Sequence, residues 1–237
     1  MTLENAVALV TGAGRGIGKA IALTLGREGA TVILTARTLS ELEDTKKEIE
    51  AVGGSAVVVR ADLSNDADIE NLFVNISSRF NRLDILVNNA GLGVFAPVRD
   101  LSISDFDTMW NLNMRAVLLC TQRALKFMEP HKSGAIVNVA SLAGRNAFVG
   151  GAGYAATKWA LIGFSRSLML EVRAHNIRVI TICPGSVDTS FSHSPKEPSR
   201  SATILHSEDI ADTVLAALKL PDRAMVSEID IRPTNPQ

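Results

Sequence analysis

Tyr154 and Lys158, four positions apart in Tyr-Ala-Ala-Thr-Lys, are the side chains of this 237-residue chain that most directly suggest chemistry. On a helix that spacing puts both on one face. A phenol has a reference pKa of about 10, too high for easy proton exchange near neutrality. A neighbouring ammonium favours the phenolate and is expected to lower that value towards the working range. Tyr154 is the single tyrosine of the chain. Upstream of it, Ser141 ends the run Asn138-Val-Ala-Ser. A neutral hydroxyl there can hydrogen-bond a substrate oxygen and stabilise developing alkoxide charge. Asn113, in Trp110-Asn-Leu-Asn-Met-Arg-Ala116, is a fourth polar candidate, with Asn111 competing for the role. Such a set can hand a proton to a carbonyl oxygen. It cannot supply a hydride, which no side chain can do.

A cofactor site is suggested near the N-terminus. Thr11-Gly-Ala-Gly-Arg-Gly-Ile-Gly18 follows an apolar run and opens an amphipathic one. Glycines there let the backbone turn tightly and let a pyrophosphate approach a helix N-terminus. The spacing is T-G-x-x-x-G-x-G, not G-x-G-x-x-G; an ordinary strand-to-helix turn is the alternative, and the position after the first strand of an alternating chain counts against it. The next strand-like run ends Thr35-Ala-Arg37, without the carboxylate that would bind a ribose 2′-hydroxyl. Arg37 offers a planar fork suited to phosphate, and Arg15 could reach the same place. Both point to a 2′-phosphate and hence to NADP(H); solvated surface charge is the alternative for each.

These residues need a frame that brings strand ends together. Strands are expected at Val7–Thr11, Thr31–Ala36, Ala56–Arg60, Ile85–Asn88, Ala135–Val139, Arg178–Cys183 and Glu228–Ile231. Helices are expected near Gly16–Glu28, Leu39–Val52, Asp66–Phe80, Ser104–Met128, Ala152–His175 and Ser207–Leu218. The alternation predicts one α/β domain over the whole chain, a Rossmann-type doubly wound parallel sheet of about seven strands with helices on both faces. Ligands then bind beyond the carboxyl ends of the strands, where strand order reverses, and every candidate above falls there. Hydrophobic residues at 46% and charged residues at 21% fit a globular domain. A net charge of −1 favours neither nucleic acid nor an anionic membrane. No signal peptide and no membrane span are expected. Cys120 and Cys183 have neither metal-ligand nor redox spacing and read as core thiols in a reducing cytoplasm, with no metal site. Ser190–Ser201, rich in Ser and Pro, reads as a mobile loop.

With Asp62, Asn88-Asn-Ala-Gly91 and Pro184-Gly185 added in order, the sequence resembles the short-chain dehydrogenases/reductases, in the branch of about this length. The resemblance runs from Val7 to about Ile231. It implies hydride transfer between a nicotinamide and a carbonyl/alcohol pair. Tyr154 would be the general acid/base, Lys158 would also hold the nicotinamide ribose, Ser141 would polarise the carbonyl, and Asn113 would anchor a water near Lys158. Gly12, Arg15, Gly16, Ile17, Gly18 and Arg37 would hold the phosphates. Asp62 and Leu63 would contact adenine, and Asn89, with Ala90 and Gly91, the adjacent ribose. Pro184, Gly185, Val187 and Thr189 would cover the nicotinamide. The substrate pocket would use Ser141, Leu142, Ala143, Phe148, Gly150, Gly151 and Tyr154 with the loop Thr189–Ser201, Phe148 and Phe191 forming an apolar wall. The resemblance extends to 3-oxoacyl-[acyl-carrier-protein] reductases, but this chain ends Glu228-Ile-Asp-Ile-Arg-Pro-Thr-Asn-Pro-Gln237 where that subgroup commonly has a Val-Asp-Gly-Gly-like tail. Glu129-Pro-His-Lys132 is also a thin basic patch for an acidic carrier. A small ketone or aldehyde is therefore the leading substrate expectation and an acyl-carrier thioester the next. An NAD-dependent alcohol dehydrogenase and a catalytically silent NADP-sensing protein are the remaining alternatives. A homotetramer or homodimer is expected by analogy.

Overall fold

The computed structural model describes residues 1–191 and 203–235. Strands β1 (Val7–Thr11), β2 (Thr31–Thr35), β3 (Ser55–Val58), β4 (Ile85–Asn88), β5 (Gly134–Val139), β6 (Ile177–Pro184) and β7 (Glu228–Ile231) form one sheet in the order β3-β2-β1-β4-β5-β6-β7. Every pairing is parallel. Strands β1, β4, β5 and β6 are buried along their whole length, as a sheet covered on both faces requires. Helices α1 (Gly16–Arg27), α2 (Leu39–Ala51) and α7 (Ser207–Lys219) cover one face, where Ile21, Leu25, Leu42, Ile49 and Val214 pack on Ala8 and Val10. On the other face lie α3 (Asp66–Arg79), α4 (Ile103–Trp110), α5 (Ala116–His131) and α6 (Ala152–Val172), with Ile69, Leu72, Cys120 and Leu168 against Leu9 and Leu86. Strand direction supplies this division, because alternate side chains of β1 point to opposite faces.

The chain winds outwards from β1 to β3, then returns to place β4 on the other side of β1. A crevice therefore opens at the carboxyl ends of β1 and β4. Most expected boundaries agree to within two residues. The exception is the stretch expected as one helix over Ser104–Met128. It is two α-helices joined by a π-helical turn, Asn111–Arg115. An apolar period cannot report one widened turn, whose hydrogen bonds reach five residues instead of four. The loop expected over Ser190–Ser201 lies, from residue 192 onwards, outside the described residues. No helix among the described residues is long and apolar enough to cross a membrane. Cys120 and Cys183 are unpaired and buried, as expected, and burial pushes their thiols up to about 12 and about 11.

The sheet's last strand is tied to the site by a carboxylate. Glu228 accepts hydrogen bonds from Arg166 on α6, at 2.6 and 3.1 Å, and from Arg145, which follows Ser141 by four residues. Arg145 also reaches Asp230 at 3.2 Å. The Arg166 bond is the main cause that holds the Glu228 carboxyl down at about 2, with Arg145 adding to it against some burial cost. Because the folded-state pKa lies below the ordinary 4.5, this contribution is complete above about pH 4.5 and is lost as pH falls towards 2. Glu228→Gln is expected to cost on the order of 1–2 kcal/mol at neutral pH after allowing for solvent screening. Thermal melts of the two proteins should converge as the buffer is taken below about pH 4. A gap that stays constant with pH would show that the carboxylate charge is not what the arginines hold.

Candidate active site

The glycine turn is built as a socket. Thr11, at the end of β1, donates its hydroxyl to the Val87 carbonyl at 3.1 Å and accepts from the Asn89 and Ala90 amides at 2.9 and 3.0 Å. Asn89 spends its side-chain amide on the carbonyls of Thr11 and Gly12, at 2.9 and 3.3 Å. It thus pins the turn, and those donors are not offered to a ribose as the resemblance implied. A Cβ at Gly18 would collide with the Gly12 carbonyl and the Asn89 amide, so the first turn of α1 can approach β1 only as glycine. Gly12 and Gly16 sit at φ of +65° and +54°. Helix α1 has no side-chain cap and no acid in its first turn, unlike α3 and α4, which have both. Its leading amides, from Gly16, Ile17 and Gly18, are left to an anionic group. Thr189, past β6, lies over this turn, with its methyl 3.3 Å from where a Gly16 Cβ would stand.

Around the rim, Arg37 is exposed at the end of β2, and Arg60 donates to its carbonyl at 2.8 Å. The Asp62 carboxylate faces both guanidinium groups. Burial acts to raise its pKa, but hydrogen bonds from the Ser64 hydroxyl and amide, with Arg37 and Arg60, bring the net shift below the usual value. Arg15 is drawn aside, 3.8 Å from Glu41 on α2. Leu63 is 5% exposed and packs beside Ile69 and Leu72 in the core, so its side chain does not face the crevice. Pro184 is buried at the end of β6, and the Gly185 amide donates to Ile231 at 2.8 Å. Val187 bridges to Leu205 and packs on the core beside α1 and α7.

The chemical residues meet at the mouth of the crevice. Ser141 caps a short 3₁₀ turn, Leu142–Gly144, and its Oγ accepts from the Ala143 amide at 3.1 Å. Gly144 lets this turn rest on α6, because a Cβ there would stand 2.8 Å from the Lys158 carbonyl oxygen. The Ser141 hydroxyl stands near enough to the Tyr154 phenol to favour its ionised form. The Lys158 ammonium lies 5.7 Å from the centre of the Tyr154 ring and donates to the Val139 carbonyl at 3.0 Å. Asn113, on the π turn, is 1% exposed. Its Nδ2 donates to the Leu92 carbonyl at 2.9 Å and to the Thr157 hydroxyl at 3.0 Å, while Oδ1 accepts from the Leu92 amide at 2.9 Å. Both amide hydrogens are committed, so only one oxygen lone pair of that side chain is left for the water that the resemblance implied. The widened turn is what carries Asn113 inward to the strand-end loop. The placement of Thr157, which also donates to the Tyr154 carbonyl at 2.8 Å, and of Arg145 and Glu228 was not foreseen. Thr157 sits within Tyr-Ala-Ala-Thr-Lys, three residues after Tyr154, and that helical spacing was the available signal; Glu228 had none.

The electrostatics differ from the expectation. Burial pushes the Tyr154 phenol up to about 12, with the Ser141 hydrogen bond acting the other way. Burial likewise pulls the Lys158 ammonium down to about 8. Desolvation of the charged form is the largest cause of both shifts. The arrangement holds a protonated phenol beside a hydroxyl donor, ready to give a proton to a carbonyl oxygen. Because Tyr154 is the single tyrosine, an ultraviolet titration reads it alone. The folded, cofactor-free protein should show no phenolate absorbance up to about pH 10.5, whereas the denatured chain should titrate near 10. A folded-state midpoint below 10 would refute the burial-dominated shift.

Comparison with known proteins places this geometry. The model of a family described as short chain dehydrogenase matches residues 6–199. Sepiapterin reductase of Chlorobaculum tepidum is 35% identical over 236 residues, covering 97% of this chain and 96% of the relative. Among solved structures, a metagenomic short-chain oxidoreductase in complex with NADP superposes with a TM-score of 0.88 at 37% identity, over 99% of this chain and 100% of that one. An alcohol dehydrogenase from the archaeon Thermococcus sibiricus, complexed with 5-hydroxy-NADP, gives 0.91 at 32% identity, over 98% and 97%. In sequence, sheet order and the set gathered at the crevice mouth, the chain belongs to the short-chain dehydrogenase/reductase family.

Proposed function

We propose that this oxidoreductase uses NADP(H) to reduce a ketone or aldehyde, with Tyr154 as its general acid. The observation that carries the reading is the buried Tyr154, with the Ser141 hydroxyl beside its phenol and the buried Lys158 ammonium 5.7 Å from its ring centre, next to the glycine socket. When bound, NADPH supplies the hydride. Ser141 orients the carbonyl and polarises it. Tyr154 gives its proton to the carbonyl oxygen as negative charge develops there. Lys158 holds the nicotinamide ribose and, when charged, stabilises the phenolate that Tyr154 leaves behind. Asn113 keeps Lys158 and the Leu92 loop in register through Thr157. The uncapped amides of Gly16, Ile17 and Gly18 receive the pyrophosphate, with Gly12 shaping the socket, and Asp62 faces the adenine end. Ala90 and Gly91 line the crevice floor, while Pro184, Gly185, Val187 and Thr189 flank the nicotinamide. Ala143, Phe148 and Gly150 border the substrate.

Arg37 supports the cofactor choice: it is exposed at the end of β2, where no acid stands to take a 2′-hydroxyl. The two solved structures above, in complex with NADP and with 5-hydroxy-NADP, agree with this. A small-molecule carbonyl is preferred over an acyl-carrier thioester because the relatives are named for such substrates: the sepiapterin reductase and, among solved structures, a levodione reductase with a TM-score of 0.90 at 28% identity. Two buried, unpaired thiols suit a cytoplasmic protein. Assembly as a homodimer or homotetramer is proposed by analogy with the family.

Tyr154→Phe should retain NADPH affinity within about twofold while turnover falls at least about 100-fold, read as loss of NADPH absorbance over a carbonyl panel. Turnover near that of the parent protein would remove Tyr154 from the chemistry. Arg37→Glu should weaken NADPH by at least about tenfold more than NADH, measured by titration of each cofactor. Equal weakening of the two would argue against a 2′-phosphate site.

A further inference from the structure

Three phenylalanines from separate segments gather at the reactive tyrosine: Phe95 and Phe191 lie against its ring, and Phe148 lies against Phe95. Phe95 comes from the connection between β4 and α4, Phe148 from the stretch between the serine turn and α6, and Phe191 from the segment after β6. Ring centres of Phe95 and Tyr154 are 5.4 Å apart at 72°, those of Tyr154 and Phe191 5.8 Å at 55°, and those of Phe95 and Phe148 5.9 Å at 53°. Each contact is tilted or edge-on, the geometry aromatic rings prefer with one another. The rings are set by backbone. Phe148 lies directly on Gly151, where any Cβ would collide with it. A Cβ at Gly93 would meet Phe95 at 2.9 Å and Phe191 at 3.1 Å. The Ala96 amide donates to the Gly150 carbonyl at 2.9 Å and so joins the loops that carry Phe95 and Phe148.

All three phenylalanines remain exposed, at 47%, 46% and 39%, although two of them lie against a tyrosine that is 8% exposed. Exposed rings gathered at one point mark a surface meant to be covered. Whatever covers these three also lies against the ring whose hydroxyl meets the carbonyl, so the cover is the substrate. Rings that present both faces and edges, with glycine backbone behind each of the three, favour a flat aromatic group over a branched or puckered one.

We propose that the carbonyl substrate carries an aryl group next to its reactive carbon, seated among Phe95, Phe148 and Phe191. This rests on the reductase reading above, and the test separates the two. Acetophenone and cyclohexyl methyl ketone share a carbon count and differ in ring planarity. Calorimetric titration of the NADP⁺-loaded Tyr154→Phe protein with each should show acetophenone binding at least about fivefold tighter. Adding Phe95→Leu or Phe148→Leu should bring the ratio to within about twofold, and Phe191→Leu gives a third, independent arm. Equal affinities, a preference for the saturated ring, no binding of either ketone, or a ratio untouched by all three leucine variants would overturn the aryl assignment. Aryl-selective binding without NADPH oxidation by the unaltered protein on either ketone would sink the reductase reading and leave the aryl site standing. Oxidation of NADPH with equal affinities would sink the aryl site alone.

Discussion

The site depends on a charge kept where water cannot reach it. Lys158 is 5% exposed, and its ammonium donates to one strand-end carbonyl, that of Val139. A lone cation in such a place is costly, and the chain meets the cost in two ways. Burial lowers the ammonium to about 8, so that it is poised to change charge near neutrality. It also places the amine under the tyrosine ring, where a phenolate formed during reaction would become its partner. At neutral pH the phenol keeps its proton and the ammonium most of its charge, and a nearby ammonium makes the phenolate easier to form. Coupling of this kind needs a dry site, and the parallel sheet with helices on both faces supplies one.

The elements around the lysine are accordingly tied to each other more than to solvent. Asn88 donates to Asn138 at 2.9 Å, and Asn138 to Ser165 at 2.8 Å, so β4, β5 and α6 share a buried polar ladder. Asn113 joins the π turn to the Leu92 loop and to Thr157. Glu228 joins α6 to the serine turn through Arg166 and Arg145. Each tie fixes one of the three segments that carry Ser141, Tyr154 and Lys158, or Asn113. A proton donor must meet its acceptor within hydrogen-bond reach, and a small displacement of any carrier would break that contact.

At the cofactor end the structure refines what the motifs implied. The Asn89 side chain pins the glycine turn, and the Leu63 side chain packs in the core. Arg15 is engaged by Glu41 and leaves Arg37 as the freer rim cation. A motif records which residue types stand in register. It does not say whether a side chain faces the ligand or holds up the residue that does.

The order of strands and helices, the crevice they make and the Ser141–Tyr154–Lys158 set were legible in the sequence alone, because each leaves a local trace. Apolar runs of five residues alternate with amphipathic ones, glycines stand where a strand must turn into a helix, and a four-residue spacing puts two groups on one helix face. Tertiary structure alone decided the rest: the π turn that delivers Asn113, the Glu228 clamp from a strand more than 60 residues beyond its partner Arg166, the convergence of Phe95 with Phe148 and Phe191, and the direction of the pKa shifts. Those depend on distances between segments remote in the chain and on how much water burial removes. A one-dimensional pattern carries neither quantity.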